Sequence, residues 1–490
     1  MRIDKSAKHW KLTPWNHQLQ AINRALSLKD GEERTSYLLA LDLGTGKSKT
    51  VIEIARLQYA KAGRMLRTLV VCPPIVQKNW PAEFDKNSNI HPIVVPLGTG
   101  TKRLKTITDK MFTIGGTKKN VVCVVAYQTL LMKKVFDKLV EWKPELIIYD
   151  EVHYLKNSQS KRSKAAYKLS KISTYRYGLT GTPISNSPMD LFGIYKPLDL
   201  GETFGVSVVG FKAKYFYDKN AHMNREVHFP KWELQPNALP KITKLLEDTS
   251  MSVDKDKCLD LPPFVVKNIF VELSDEQKKA YRELKRDLIT FVKGNSDPAT
   301  AQLAVTKALR LQQIASGHIK LESGDIHAFK ETPRDKALAE ILEAVVRDNS
   351  KTIIWAVFKQ NYTAIKSVCE KLGLRYVEVH GGVPQKKKFE AIETFNEDKN
   401  IPIFIGHPDS VGIGINLVAA KYSIFYSRNF SFVADEQAEA RNYRGGSEIH
   451  QKITRLNIVA EGTIDEKVSL ALARKEELSA EVLKTIAHTF

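Results

Sequence analysis

Apolar positions along this chain fall in short, nearly unbroken runs. YLLAL (37–41), TLVVC (68–72), NVVCVVA (120–126) and ELIIYD (145–150) occupy the first half, and TIIWAVF (352–358), IPIFIG (401–406) and YSIFYS (422–427) repeat the rhythm in the second. Each run is followed by polar or helix-forming sequence. A strand that is apolar at every position has both faces covered, so the pattern predicts parallel sheets flanked by helices, an α/β architecture. Two such sets, roughly 37–200 and 335–460, predict two α/β lobes.

The sequence between them is of another kind. Residues 205–260 are rich in aromatics and bases with little strand pattern, whereas SDEQKKAYRELKRDLITFVKG (274–294) and ATAQLAVTKALRLQQIASG (299–317) predict long helices. Pro262-Pro263 cannot continue a helix and marks a boundary. The segment TIDEKVSLALARKEELSAEVLKTIA (463–487) predicts an amphipathic terminal helix. The organisation expected is a first lobe over 1–204, helical protrusions and a linker over 205–330, a second lobe over 331–463 and a brace helix over 464–490.

Charge changes the picture. Lys plus Arg outnumber Asp plus Glu by 75 to 55, a net charge of +20 that favours a polyanionic partner, nucleic acid before membrane. Basic clusters stand at Lys102, Arg103, Lys105 and Lys110, at Lys161, Arg162 and Lys164, and at Lys386, Lys387 and Lys388. Each reads as a solvated face or as a phosphate contact. FKAKYFYDKN (211–220) reads either as protrusion core or as a surface for stacking bases. Cys72, Cys123, Cys258 and Cys369 are too scattered for a metal knuckle or redox pair, which fits a reducing cytosol, and no apolar run has the length of a membrane span.

The first strand runs into ALDLGTGKSKTVIEIA. Gly44, Thr45, Gly46, Lys47 and Ser48 lie between a buried strand and a helix, where glycines let backbone N–H groups close around phosphates. Lys47 would reach the β- and γ-phosphates of ATP, and Ser48 would hold Mg²⁺. Leu41 stands where the longer form of this motif has its first glycine, and a plain glycine turn is the alternative. The strand ELIIY ends in Asp150-Glu151-Val152-His153. Ligands of open parallel sheets sit at the carboxyl ends of strands, which assigns Asp150 to Mg²⁺ and Glu151 to the attacking water. The alternative is a solvated acidic turn.

DEVHYLKN resembles the DEAH-type second motif of superfamily-two helicases, with the trailing Lys-Asn of the Swi/Snf-type ATPases. Other segments resemble that family in order: LTPWNHQ (12–18), CPPIVQKNWPAEF (72–84), VVAYQTL (124–130), LTGTPISNSPMDLF (179–192), LPP (261–263), TIIWAVFKQN (352–361), HGGVP (380–384), DSVGIGINLVAA (409–420) and QAEARNYR (437–444). The resemblance covers residues 10 to 475. It implies two RecA-like lobes hydrolysing ATP with Mg²⁺ in the cleft between them. Gln18 would contact the base, and Arg441 and Arg444 would approach the γ-phosphate, with Arg444 as the arginine finger. Gly414 would approach a phosphate, and Pro73, Thr180, Gly181, Thr182 and Asn416 would bind DNA or couple it to ATP.

A spacing of three predicts that Arg441 and Arg444 share one face of a helix; surface pairing with Glu436 or Glu439 is the alternative. The sequence departs from the family at Gly445-Gly446-Ser447, at Tyr443 and at Met251-Ser252, where many members carry paired arginines.

The function expected is a monomeric translocase in a bacterial cytosol or virus-infected cell. It would work on double-stranded or branched DNA without sequence preference, in replication, recombination or repair. A strand-separating helicase and a non-hydrolysing DNA-binding module are the competing readings.

Overall fold

The computed structural model describes residues 10–486 apart from 75, 223–229, 295–297, 322, 331 and 410–414. It divides into two compact units. Unit 1 holds the described residues up to Asp218, Trp232–Leu259 and those from Lys475 on; unit 2 holds Asp260–Arg474 and the described residues of 219–231.

Unit 1 is built on a seven-stranded sheet. Along the chain its strands are β1 (Ser36–Leu41), β2 (Thr68–Cys72), β3 (Ile93–Val94), β4 (Val122–Ala126), β5 (Leu146–Asp150), β6 (Tyr175–Leu179) and β7 (Ser250–Val253). They lie in the order β7-β1-β6-β5-β2-β4-β3, every pair parallel. Every residue of β2, β4 and β5 is buried, as an apolar run covered on both faces requires.

Unit 2 repeats the plan with six strands: β8 (Phe264–Val271), β9 (Lys351–Trp355), β10 (Tyr376–Val379), β11 (Ile403–Gly406), β12 (Ala420–Phe425) and β13 (Ile453–Ala460). Their order is β8-β13-β12-β9-β11-β10, again all parallel. Arg334 is buried beneath this sheet, donating to the carbonyl of Ile458 at 2.8 Å and pairing with Asp465.

The region 205–330 holds the expected helices, Asp275–Gly294 and Pro298–Ala315 among them, but also two short hairpins and one strand of each large sheet that the apolar pattern missed. β7 reads SMSV, half polar, because two buried serines bond carbonyls instead of presenting methyl groups. Ser250 Oγ donates to Leu246 at 2.7 Å and Ser252 Oγ to Leu483 at 2.6 Å. β8 is an edge strand with Val266 and Phe270 exposed, so it shows no continuous apolar run. The aromatic stretch at 211–220 is mainly core: Phe211, Tyr215 and Phe216 are buried, and Phe204 meets Phe211 and Tyr215 edge-on.

The terminal helix runs Ile464–Ile486. Val468 and Leu472 pack with Phe432, and Leu478 and Leu483 pack on the core of unit 1.

Candidate nucleotide site

Because the strands of unit 1 are parallel, their carboxyl ends share one edge of the sheet, and the loops leaving that edge carry the predicted groups. β1 leads into Asp42–Gly46 and then the helix Lys47–Ala62; β2 leads to Pro73, β5 into Glu151, and β6 into Thr180-Gly181-Thr182.

Gly44 and Gly46 hold φ of +90° and +84°, the left-handed region that favours glycine. Gly46 also sits against Gln18: a β-carbon there would meet Gln18 Nε2 at 2.2 Å. Gln18 is fully buried. It donates to the Thr45 carbonyl at 3.1 Å and accepts from the Trp15 amide at 2.9 Å, and His17 Nε2 bonds the same Thr45 carbonyl at 2.8 Å. The segment before β1 thus braces the glycine loop from behind. Lys47, at the head of its helix, donates from Nζ to the carbonyls of Leu41 at 2.8 Å and Asp42 at 3.2 Å.

Asp150 is buried at the end of β5, with Oδ2 accepting from Trp80 Nε1 at 3.1 Å. Burial and the adjacent Glu151 carboxylate raise its pKa to about 7, and the Lys47 ammonium opposes them. Glu151, also buried, holds φ of +49°, an uncommon conformation for a residue with a β-carbon. Its carboxylate lies 3.3 Å from His153 Nδ1, and that nitrogen is 3.3 Å from the Thr180 hydroxyl. Thr180 in turn accepts from the Thr182 amide at 3.1 Å.

A β-carbon on Gly181 would touch Leu43 and the Leu41 carbonyl at 3.6–3.7 Å, so this turn packs on the glycine loop. Lys47, the acidic pair and the threonine turn therefore form one connected cluster. Two adjacent buried carboxylates beside a lysine are a donor set suited to a hard divalent cation. Ser48 and Asp150 are the residues proposed below to hold Mg²⁺, which would screen phosphate charge.

Pro73 is buried immediately after β2. In unit 2, Asn416 is exposed, its Oδ1 accepting from the Val418 amide at 3.2 Å; Gly414 lies outside the described residues. Arg441 and Arg444 do not share a helix face, because the helix Phe432–Glu439 ends before them. They sit in the turns that follow, and both guanidinium groups nevertheless reach the Ile415 carbonyl, at 3.5 and 3.4 Å. Glu439 bonds Arg455 at 2.8 Å, and Arg455 also bridges to Asp435 at 2.6 Å, which fixes the helix that delivers the two arginines.

His17, His153 and Trp80 are site residues that the sequence reading did not single out. All three lie inside motifs named above, His17 and His153 beside Gln18 and Glu151 and Trp80 within CPPIVQKNWPAEF, 70 residues from its carboxylate.

Fold and site together define an ATP-dependent, helicase-like ATPase core. A model of the SNF2-related domain matches residues 17–320 and one of the helicase conserved C-terminal domain matches residues 334–446, and the chain belongs to the SNF2-related family. It is 25% identical to an uncharacterized ATP-dependent helicase of Mycoplasma genitalium, covering 95% of this chain and 42% of that protein. It is likewise 25% identical to the ISWI chromatin-remodeling complex ATPase ISW2 of Saccharomyces cerevisiae, over 96% of this chain and 41% of that one. The chain thus spans about two fifths of the length of these relatives. Among solved structures, the Sulfolobus solfataricus SWI2/SNF2 ATPase core in complex with dsDNA is 23% identical, with a TM-score of 0.44 and full coverage of both chains. Among the described residues, no helix is long and apolar enough to cross a membrane.

Proposed function

We propose that this chain is the motor of a double-stranded DNA translocase that spends ATP to move along the duplex and remodel branches or bound proteins. The observation that carries this reading is the connected cluster of Lys47, Asp150, Glu151, His153 and Thr180 on one sheet edge. Lys47 and the glycine-loop amides cradle the phosphates, and Gln18 contacts the base. Ser48 and Asp150 hold Mg²⁺, and Glu151 orients the attacking water. Arg441 and Arg444 of unit 2 meet the charge that develops on the γ-phosphate, Arg444 as the finger. Gly414 approaches a phosphate of ATP, and Pro73, Thr180, Gly181, Thr182 and Asn416 serve DNA contact or its coupling to the ATP state. The net charge of +20 supports a backbone-dominated grip with little sequence preference and a steep fall with salt.

ATPase rates with duplex, single-stranded, forked and four-way DNA test the proposal, together with displacement of a triplex-forming strand. The expected outcome is strongest stimulation by duplex or branched DNA, rates that rise with duplex length, and triplex displacement without unwinding of long duplexes. Efficient separation of long duplexes would assign the chain to strand-separating helicases. Hydrolysis indifferent to every DNA would overturn the motor reading.

A further inference from the structure

The Asp150–Glu151 peptide is held from a direction that the site as described does not account for. Tyr127, the first residue after β4, is buried and donates its hydroxyl to the Asp150 carbonyl at 3.0 Å. That carbonyl belongs to the peptide that joins the two acidic residues. Glu151 holds φ of +49° there, a conformation that persists only when the surroundings over-determine it. One hydroxyl thus fixes the peptide plane from which the Glu151 side chain departs.

Tyr127 is itself locked. Its ring stacks on Tyr154 with centroids 5.4 Å apart and planes 4° from parallel, and the Arg162 guanidinium lies 5.2 Å from the Tyr154 ring centroid and 5.9 Å from that of Tyr127. Tyr127 also opens the turn Tyr127–Leu131, which Arg103 grips from the other side by donating to Thr129 Oγ1 at 2.7 Å. The outer part of this turn faces solvent: Gln128 and Leu131 are exposed, as are Lys133 and Lys134 beyond it and Lys161 and Lys164 on either side of Arg162. The same five-residue turn therefore has a buried end on the acidic pair and an exposed end against the two helices that carry these lysines, cations of the kind a phosphodiester backbone seeks.

We infer that Tyr127 is a positioning residue for ATP hydrolysis, holding the Asp150–Glu151 peptide in register and tying it to a basic rim that takes the nucleic-acid backbone. The inference rests on the proposed DNA-dependent ATPase. Its hydroxyl is taken up by the Asp150 carbonyl, so it acts through the geometry of Glu151.

The test is Tyr127→Phe, which removes the hydroxyl and keeps the ring stack. kcat and KM for ATP are measured with and without saturating duplex DNA, alongside DNA affinity and thermal midpoint. The expected result is a kcat about threefold to tenfold lower at saturating DNA, the size of one hydrogen bond, with KM and DNA affinity unchanged and a smaller ratio of stimulated to basal rate. Tyr154→Leu keeps the hydroxyl and removes the stack, and it reads the same coupling should the first variant fold poorly; its kcat should fall too, again at constant KM. A Tyr127→Phe kcat equal to wild type, or a lower thermal midpoint with unaltered kcat, overturns the inference and leaves the motor reading standing. A wild-type chain without DNA-stimulated turnover overturns both.

Discussion

Gly46 and Gln18 stand so close that a β-carbon on the glycine would fall 2.2 Å from the Gln18 amide nitrogen. Gln18 cannot swing aside freely, because it holds the Thr45 carbonyl and the Trp15 amide. Gly46→Ala therefore strains a backbone at φ +84° and displaces a buried amide from two bonds. Where ATP binds only the loop in its present shape, left-handed strain of about 1–2 kcal/mol and about 1 kcal/mol for each of the two lost bonds predict ATP affinity lower by roughly a hundredfold to a thousandfold. Titration with a fluorescent ATP analogue checks this; wild-type affinity would remove Gln18 and Gly46 from the nucleotide site.

Lys47→Ala and Glu151→Gln should separate binding from chemistry. The first removes the ammonium proposed to meet the phosphates and should abolish hydrolysis while duplex DNA binding survives. The second leaves the glycine loop intact and changes the group proposed to orient water, so it should retain bound ATP without turning it over. Rapid-quench hydrolysis and filter retention of labelled ATP give the two readouts. Wild-type turnover in the Lys47 variant would sink the phosphate-loop assignment.

The cluster on unit 1 was legible because parallel strands bring their carboxyl ends to one edge: a glycine loop after one strand and Asp-Glu after another suffice to predict a shared pocket. What holds those groups was not legible. Trp80 and Tyr127 reach Asp150 from 70 and 23 residues away, contacts set by tertiary folding and not by any local period. β7 escaped because Ser250 and Ser252 are buried by bonding carbonyls, so hydrophobicity does not mark the strand. The helix expected under Arg441 and Arg444 failed for a related reason. A spacing of three fits a helix face, but it fits two successive turns closing on one carbonyl as well.

His318 lies buried in unit 2 with its ring edge-on to Phe358, 5.2 Å between centroids. Burial pushes its pKa from 6.5 down to about 4. The unfolded chain therefore binds a proton that the folded unit refuses between those values, so stability is lost as pH falls from 6.5 toward 4 and the loss levels off below. The effect is on the order of 3 kcal/mol. Thermal unfolding at pH 7 and pH 4.5 should show a smaller acid-induced drop in His318→Leu than in wild type. Equal drops would place the acid sensitivity elsewhere.

Arg441 and Arg444 converge on the Ile415 carbonyl but differ in exposure, and that difference predicts different phenotypes. Arg441 is 2% exposed, its guanidinium on the Ile415 carbonyl and its own carbonyl accepting from the Leu417 amide at 2.9 Å, so the residue ties this turn to the segment Ile415–Leu417. Arg444 is only half-buried, at a similar reach to Ile415. Truncating Arg441 removes a buried cation and its bonds, which should lower the thermal midpoint by several degrees as well as kcat. Truncating Arg444 should leave the midpoint nearly unchanged. If Arg444 is the finger, Arg444→Ala lowers kcat by up to roughly 10³–10⁵ while ATP affinity changes little, because the charge it meets appears in the transition state. Arg444→Lys separates geometry from charge: an ammonium cannot reproduce the planar fork, so rescue should be poor. Equal losses of midpoint in Arg444→Ala and Arg441→Ala with kcat retained would make both arginines structural and leave the finger to another residue.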